Sequence, residues 1–332
     1  MSKEKKVLIF APDSPHTKKF INMIDGILDY QLILQQNDLN LDYGNKTSRI
    51  KNKSIQSLFQ IMKSLWFSPF KYDVVHLHFI NFTAFIVSLL SIKPIIVTAW
   101  GSDVLVVPEK KLLYRMMIKF VLWRSEIITA NSSQTMRVAI NILAPKRKVN
   151  KVHFGINQYC KKTPHQEKEN LIYSPRNHAP LYNIEKVIHS FEEFYKNNPS
   201  WKLVISGRED PTKTPQLKKM AQGLPIEFTG WITEEEHALW LSKAKIVVSI
   251  PSSDALSVTL MEAIYSNCVC FVSDLNSNKE VITEGMNGFI STQFDLHEKI
   301  DIKMMEKLNE KISETWTFEY QKKSFLKIYK II

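Results

Sequence analysis

Asp254 and Glu262 stand eight positions apart, in a stretch whose pattern predicts a strand, a polar turn and a helix. The apolar run Ile246 to Ile250 suits a strand buried on both faces, and apolar residues from Leu260 onward recur at helical spacing. This pattern puts Ser257 or Thr259 near a helix N-terminus and Glu262 about one turn into the helix. A helix N-terminus beyond the carboxyl end of a parallel strand attracts phosphate, and carboxylates accept hydrogen bonds from sugar hydroxyls. The stretch therefore predicts a site for a nucleotide sugar.

The elements that would position these residues alternate between strand and helix twice along the chain, which predicts two doubly wound α/β domains. Strands of the first half are predicted at Lys6 to Pro12, Gln31 to Gln35, Asp73 to Phe79, Pro94 to Thr98, Glu126 to Ala130 and Lys151 to Phe154. Strands of the second half are predicted at Leu171 to Ser174, Trp201 to Gly207, Glu227 to Thr229, Ile246 to Ile250 and Val269 to Val272. The predicted division is an N-terminal acceptor-binding lobe over 1–157, a linker over 158–170, a C-terminal donor-binding lobe over 171–315 and a final helix over 316–332.

Two motifs resemble those of family 4 glycosyltransferases, and the distance between them in the sequence also matches that family. Asp254, seven intervening positions and Glu262 match that family's E-x7-E motif, with Asp in place of the usual first Glu. The segment Glu280-Val-Ile-x-x-Gly285-x-Asn-Gly288 matches its E-V-I-x-x-G-x-N-G ending. The resemblance implies the GT-B fold, in which two Rossmann-like lobes face a cleft and the last helix crosses back to the first lobe. The implied reaction is the retaining transfer of a hexose-type sugar from a nucleotide-diphosphate donor to an acceptor hydroxyl.

The resemblance also implies roles for donor-site residues. Asp254 would face the donor sugar and Glu262 the ribose. Arg176, at a predicted strand end, matches the family's phosphate-binding Arg. The family usually adds a Lys-Gly pair where this chain has Tyr182-Asn183, so Arg208 is predicted to supply the second cationic contact. Further predicted donor contacts are Asn177 and the residues whose backbone amides face the diphosphate, Ala255, Leu256, Ser257 and Val258.

Each of these residues also has an ordinary structural role open to it. Asp254 could cap a helix, and Glu262 could be a solvated helix acid. Arg176 and Arg208 could be surface charges.

Residues of the first lobe are predicted to complete the site. The family often has a His two residues after the Thr that matches Thr98, and here that position is Trp100. The predicted catalytic set consists of Asp254, Arg176, Trp100 and Asp103. Asp103 could instead orient its loop, bind acceptor or cap the following segment. The predicted acceptor contacts at strand ends are His16, Thr17, His78 and Ser102. A helix-capping turn at His16 and Thr17, and a packed histidine at His78, are the alternatives.

No cofactor and no metal ion are expected. The chain contains no D-x-D motif, so that a metal bound to the nucleotide diphosphate is not indicated. Cys160, Cys268 and Cys270 are too few and too badly spaced for a zinc site or a disulfide framework. This cysteine usage fits a reducing cytoplasm.

The excess of basic residues lies in the first half of the chain and indicates an anionic partner. The whole chain has a net charge of +11, and Met1 to Cys160 alone has 22 basic and 10 acidic residues. One predicted helix has an apolar face formed by Ile55, Leu58, Phe59, Met62, Leu65 and Trp66, flanked by Lys46, Arg49, Lys51, Lys53, Lys63 and Lys71. A second basic segment runs from Lys110 and Lys111 through Arg115 and Lys119 to Arg124. These segments predict attachment to an anionic membrane surface unless their apolar faces pack inside the lobe. Nucleic-acid binding is not expected, because the chain shows no nucleic-acid motif.

The sequence predicts a peripheral protein on the cytoplasmic face of the inner membrane. The N-terminus passes straight into a strand without a signal-peptide pattern, and the apolar stretch Phe79 to Ile92 predicts a buried helix rather than a membrane span. The expected acceptor is a lipid-linked glycan or oligosaccharide of a bacterial surface polysaccharide, capsule or lipopolysaccharide. The alternatives are a catalytically impaired family member that serves as a binding partner in a polysaccharide assembly complex, and an epimerase or phosphorylase with the same fold.

Overall fold

The structure of the protein is a computed structural model that describes residues 5–35, 41–50, 55–67, 71–105, 112–142, 148–153, 155–293 and 300–332. The chain divides into two compact units, one formed by Met1–Phe154 with Glu319–Ile332 and the other by Gly155–Phe318. Each unit contains one parallel sheet flanked by helices. This confirms the prediction of two doubly wound α/β domains. The assignment of acceptor binding to the first lobe and donor binding to the second stays a prediction.

The first unit is built on a seven-stranded sheet in the order β3-β2-β1-β4-β5-β6-β7. Its strands are β1 (Lys6–Pro12), β2 (Asp29–Gln35), β3 (Thr47–Ile50), β4 (Val74–His78), β5 (Ile95–Ala99), β6 (Ile127–Ala130) and β7 (Val149–Lys151). Sequence patterning missed β3, a short edge strand of mostly polar residues. It also placed the last strand too late, because β7 ends at Lys151, and Phe154 lies outside the described residues.

Helices cover both faces of this sheet. They are α1 (Pro15–Ile24), α2 (Ile55–Trp66), α3 (Phe82–Leu90), α4 (Ser102–Leu105), α5 (Leu112–Arg124), α6 (Ser133–Ile142) and α12 (Phe318–Ile331). On one face, Phe20 of α1 packs edge-on against Phe325 of α12 with 5.0 Å between ring centroids. On the other face, buried side chains of α2, α3, α5 and α6 share one apolar core with the sheet.

The second unit is built on a six-stranded sheet in the order β10-β9-β8-β11-β12-β13. Its strands are β8 (Glu169–Pro175), β9 (Lys202–Ser206), β10 (Ile226–Gly230), β11 (Ala244–Ser249), β12 (Val269–Val272) and β13 (Gly288–Ile290). Its helices are α7 (Ile184–Asn197), α8 (Lys213–Met220), α9 (Glu234–Lys243), α10 (Val258–Tyr265) and α11 (Ile302–Ser313). Short 3-10 turns lie at His165–Glu167, Pro180–Tyr182, Asn278–Glu280 and Glu314–Trp316.

The apolar segments singled out from the sequence form helices α2, α3 and α5. The stretch predicted as a buried helix is α3, but only one side of this helix is buried, and Phe82 and Leu89 are more than half exposed. The basic segments correspond to α2 and α5, while their members Lys51, Lys53, Lys110 and Lys111 lie outside the described residues. Within the part of the chain that the structure describes, no helix has the length and apolar composition needed to cross a bilayer.

Candidate functional site

Three neighbouring strands of the second unit bring the predicted donor-site residues to one edge of the sheet. Arg176 directly follows β8, Arg208 lies two residues beyond β9, and Asp254 lies in the turn after β11. Strand β8 pairs in parallel with both β9 and β11, so their carboxyl ends meet at the same edge. Ligands of open parallel sheets bind at this edge.

The Arg176 guanidinium is held in place by three contacts. Its Nε donates to the Ser249 Oγ at 2.7 Å, and its Nη2 lies 3.0 Å from the Asp254 Oδ2. The Tyr182 ring centroid lies 5.6 Å from Cζ, a cation–π contact. The Arg176 side chain is only 12% exposed. Arg176 is therefore not an ordinary surface charge, because a hydrogen bond to Ser249, an ion pair with Asp254 and a cation–π contact with Tyr182 fix its position.

Tyr182 and Asn183 occupy the positions where the resemblance leads one to expect Lys and Gly. Asn183 adopts a left-handed backbone with φ of 54°, a conformation that Asn tolerates better than most residues. Its Nδ2 donates to the carbonyl of Ile250 at 2.8 Å and to the Ser252 Oγ at 3.0 Å. This pair thus supports Arg176 from one side and ties the start of α7 to the turn that carries Asp254.

The loop after β9 lies against the loop after β8. The Arg208 backbone N–H donates to the Asn177 Oδ1 at 2.9 Å, and the Arg208 side chain is exposed. Gly207 has φ of 146°, and a Cβ atom there would lie 2.5 Å from the carbonyl oxygen of Arg176. Only glycine fits this close approach, which holds Arg208 beside Arg176.

Glu262 is buried in α10 and is not a solvated helix acid. Its Oε1 accepts from the backbone N–H of Asn157 at 2.7 Å, and its Oε2 lies 3.1 Å from Nε2 of His237 on α9. The Nδ1 of His237 lies 2.8 Å from the Tyr173 hydroxyl, which in turn lies 2.8 Å from the Ser206 Oγ. Burial raises the pKa of the Tyr173 phenol, so it stays protonated.

The turn before α10 has the predicted geometry. Ser257 is the N-cap of the helix, and its side chain accepts from the backbone N–H of Leu260, which confirms its predicted place at a helix N-terminus. Asp254 is not the helix cap, since Ser257 fills that position. The helix begins at Val258, directly after Ala255, Leu256 and Ser257. The backbone amides of these four residues are the predicted phosphate contacts. Their contact with a phosphate stays a prediction.

In the first unit, Asp103 organises the loop after β5. Asp103 is fully buried, and its carboxylate accepts from the backbone N–H groups of Ile80 at 2.9 Å, Gly101 at 2.9 Å and Trp100 at 3.1 Å. Burial raises the pKa of Asp103 despite these bonds. The geometry matches the predicted loop-orienting role, whereas a direct contact of Asp103 with acceptor stays untested.

The other predicted residues of the first unit fall into an exposed pair and a buried pair. His16 and Ser102 are exposed, and the His16 ring lies 5.3 Å from that of Trp100. Thr17 is fully buried, its hydroxyl donates to the carbonyl of Pro12 at 2.7 Å, and Ser14 caps α1 as the capping-turn alternative states. His78 is buried as well, and burial lowers its pKa to about 3. Acceptor contacts of all four stay predictions.

His76 and His78 point to the same face of β4, as their spacing predicts. Their ring centroids lie 4.2 Å apart. The Nδ1 of His76 lies 2.5 Å from the Tyr329 hydroxyl of α12, and its Nε2 lies 2.7 Å from the Thr98 Oγ1. His76 is thus a packed, hydrogen-bonded histidine that attaches the last helix to the sheet.

Sequence reasoning missed the residues that support the predicted ones. Tyr182 could have been found, because it stands at the position of the family's Lys. His237 and Ser249 carry no signal of their own, since each meets its partner only through the pairing of strands and the packing of helices. Across the described ranges, no group of three or more His, Cys, Asp or Glu side chains could hold a metal ion. That the reaction needs no metal ion stays a prediction.

Comparison with known proteins identifies both units. Residues 6–132 match the family described as glycosyl transferase 4-like, and residues 156–317 match the family of glycosyl transferases group 1. No match to a curated protein sequence was found.

Solved structures share the fold at low sequence identity. HepE from Anabaena, in complex with UDP and glucose, has a TM-score of 0.77 and 12% identity, covering 99% of this chain and 100% of that one. The sucrose-phosphate synthase of Thermosynechococcus elongatus has a TM-score of 0.72 and 12% identity, covering 98% of both chains. The lipopolysaccharide outer core galactosyltransferase WaaB, in its apo form, has a TM-score of 0.67 and 12% identity, covering 96% of this chain and 98% of that one. The two parallel-sheet units with these neighbours establish the GT-B fold. With a glycosyl transferase 4-like domain followed by a group 1 domain, the chain belongs to the group 1 glycosyltransferases.

Proposed function

We propose that the protein is a retaining glycosyltransferase of family 4 that moves a hexose-type sugar from a nucleotide-diphosphate donor to an acceptor hydroxyl. The observation that carries this proposal is the ion pair between Arg176 and Asp254, 3.0 Å apart at the carboxyl edge of the second sheet. The buried Glu262 lies in helix α10, whose N-terminus follows the turn that carries Asp254. A fixed cation, a helix N-terminus and two carboxylates are the groups that a diphosphate linked to two sugars requires.

The proposed donor site divides the donor among these groups. Arg176, Arg208 and the amides of Leu256 to Val258 bind the diphosphate, Asp254 positions the transferred sugar, and Glu262 binds the ribose. HepE was crystallised with UDP and glucose, so UDP-linked hexoses are the first donors to test.

In the proposed reaction, the bond between the anomeric carbon and the β-phosphate oxygen breaks while the acceptor oxygen bonds to the same face of that carbon. The acceptor proton leaves on the released diphosphate. The negative charge on the diphosphate grows as the bond breaks, and the guanidinium of Arg176 is already fixed by Ser249 and Asp254 before substrate arrives. Such preorganised donors stabilise the transition state without reorganising during the reaction.

We also propose that the acceptor is a lipid-linked glycan of a bacterial surface polysaccharide, met at the cytoplasmic face of the inner membrane. The basic first half of the chain supports an anionic surface as partner. The likeness to WaaB, a lipopolysaccharide galactosyltransferase, is in keeping with this acceptor class.

The test is to incubate the purified protein with UDP-, GDP- and dTDP-hexoses and to measure release of the nucleoside diphosphate, with NMR to follow the anomeric configuration of the released sugar. The proposal predicts slow release from one nucleotide class, retention of configuration and no loss of activity in a metal chelator. Inversion of configuration would contradict the retaining mechanism. No release of nucleoside diphosphate from any donor would contradict the proposed transfer reaction.

A second candidate is a family member that binds a donor without turnover and serves in an assembly complex. Trp100 stands where the family often has His, and Tyr182-Asn183 replaces Lys-Gly. Donor binding without release of nucleoside diphosphate, with acceptor-containing membrane extract present, would favour this candidate.

A further inference from the structure

Helix α3 is apolar on the side that faces solvent as well as on the side that faces the sheet. Its sequence, FTAFIVSLL, contains no charged residue. Val87 is buried against the sheet, whereas Phe82 and Leu89 on the outer side are more than half exposed. Ile92, just after the helix, is 83% exposed. A helix that is apolar all round is normally covered on every side, so the outer side of α3 needs a covering partner.

Helix α5 continues this apolar surface beside α3. Its inner side buries Ile118 in the core, while Met116 and Trp123 on its outer side are more than half exposed. Phe85 of α3 lies 5.5 Å from Phe120 of α5, and Phe120 lies 5.8 Å from Trp123, measured between ring centroids. The expectation that the apolar residues of this segment pack inside the lobe therefore holds for one side of the helix only.

Helix α2 extends the surface on the other side of α3. Phe59 within α2 and Phe67 just after it are more than half exposed. The indole N–H of Trp66 donates to the carbonyl of Leu90 at 3.3 Å and fixes the end of α2 against the end of α3. The outer sides of α2, α3 and α5 thus form one continuous surface, the three-helix surface.

The ionised side chains of the three-helix surface are basic. Helices α2, α3 and α5 contain no Asp or Glu. Lys63 lies on α2, Arg115 and Lys119 lie on α5, and Lys93 follows α3. Basic residues among exposed aromatic and aliphatic side chains match anionic lipid, whose headgroups pair with the cations while the apolar side chains enter the acyl boundary.

Other occupants fit this surface less well. A second copy of the chain would bring like charges together across a two-fold interface, which disfavours the pairing. A nucleic acid would contact the cations through its phosphates but would leave the aliphatic side chains uncovered.

We infer that the three-helix surface docks the first unit on an anionic bilayer. The inference deepens the proposed function, since it assigns named residues to the membrane partner of an enzyme with a lipid-linked acceptor. Docking requires no donor, so it can be measured apart from sugar transfer.

The experiment measures co-sedimentation of the full chain with vesicles of phosphatidylcholine alone and with about one third phosphatidylglycerol. We expect binding to the anionic vesicles only, weakened in about 1 M NaCl. The combined substitution Lys93→Gln with Arg115→Gln should reduce the partition coefficient by about tenfold or more, because each basic residue near the surface contributes a factor of about five. Ile92→Ser with Trp123→Ser should also reduce partitioning by about tenfold or more.

Matched controls come from the second unit. Lys161→Gln with Lys219→Gln removes two exposed cations, and Leu239→Ser with Met304→Ser removes two apolar side chains that are more than half exposed. Both control variants should bind vesicles like the wild type, and thermal unfolding should show that all four variants are folded. Absence of binding to anionic vesicles, equal losses in the control variants, or a dimer in solution that the Ile92 and Trp123 substitutions dissociate would overturn the inference. Donor binding in the same preparations reports separately on the proposed enzymatic function.

Discussion

His237 and Glu262 are joined by a hydrogen bond of 3.1 Å between Nε2 and Oε2. A carboxylate can only accept, so Nε2 of His237 carries the hydrogen. In the neutral imidazole, Nδ1 then accepts from the Tyr173 hydroxyl, and that hydroxyl accepts from Ser206. With a neutral imidazole the hydrogen bonds thus run in one direction from Ser206 to Glu262, and His237 holds the orientation of the carboxylate that we propose binds ribose.

His237→Phe should weaken the discrimination between UDP and its 2′,3′-dideoxy analogue. A hydrogen bond from a hydroxyl to a charged group is worth about 1.5–3 kcal/mol, so a well-oriented Glu262 should favour UDP over the analogue by about tenfold or more. Without His237 this ratio should fall by about fivefold or more, while affinity for the analogue stays within about twofold. Calorimetric titration of both nucleotides measures the ratio.

The control for this prediction is His189→Phe, which alters an exposed histidine of α7. It should leave both affinities unchanged. Equal weakening of UDP and of the analogue in His237→Phe would mean that His237 acts only on the general shape of the unit.

Arg176→Lys should weaken nucleoside-diphosphate binding by about tenfold to a hundredfold, although it conserves the charge. Lysine has no planar fork, so it cannot reach the Ser249 Oγ and the Asp254 carboxylate together while stacking on Tyr182. Titration with UDP and with GDP measures the loss. Arg137→Lys, at an exposed position of α6, is the matched control and should bind like the wild type. Unchanged affinity in Arg176→Lys would argue against Arg176 as a phosphate ligand.

Gly207→Ala should destabilise the fold more than Gly223→Ala. Both glycines have positive φ, so alanine is strained at both positions by about 1 kcal/mol or more. At Gly223 an added Cβ meets no atom within 4 Å, whereas at Gly207 it meets the carbonyl oxygen of Arg176 at 2.5 Å. Denaturant unfolding should give Gly207→Ala an additional loss of about 1–3 kcal/mol. Equal losses in the two variants would show that the two loops do not approach as closely as described.

The stability of the fold should fall as the pH is lowered from about 7 towards 5. Burial lowers the pKa of His78 from 6.5 to about 3 and that of His76 well below 6.5. At a pH between the lowered pKa of each histidine and 6.5, the unfolded chain binds a proton at that residue and the folded chain does not. Both residues therefore stabilise the fold above pH 6.5 and lose that contribution as the pH falls. Each contributes a slope of at most about 1.4 kcal/mol per pH unit.

Denaturant unfolding of His78→Leu should show a shallower fall of unfolding free energy with falling pH than the wild type. His189→Gln, which removes an exposed histidine, should keep the wild-type slope. A slope in His78→Leu that equals the wild-type slope would place the acid sensitivity in other groups.

Most strands could be predicted because parallel strands buried on both faces read as continuous apolar runs. The two strands that were missed, β3 and β13, are short edge strands, and β13 begins at Gly288, whose lack of a side chain lets it pair closely with β12.

Motif spacing located Arg176, Asp254 and Glu262, but their supporting contacts depend on tertiary packing. His237 lies 25 positions before Glu262 on another helix, and no periodicity in the sequence reports that distance.

Charge counting found the basic half of the chain but not the extent of the apolar surface beside it. Whether an apolar helix side faces the core or solvent depends on which other helices cover it. The exposed side of α3 is visible only once α2 and α5 have been placed.

The most direct test of the proposed donor site is calorimetric titration of the wild type, Asp254→Ala and Glu262→Ala with UDP-, GDP- and dTDP-linked hexoses. Glu314→Ala, in a short turn after α11, serves as control. We predict that the wild type and the control bind one nucleotide class, and that each of the two carboxylate substitutions weakens this binding by about tenfold or more. Full affinity in both carboxylate variants, or no binding of any donor by the wild type, would contradict a donor site built on Arg176, Asp254 and Glu262.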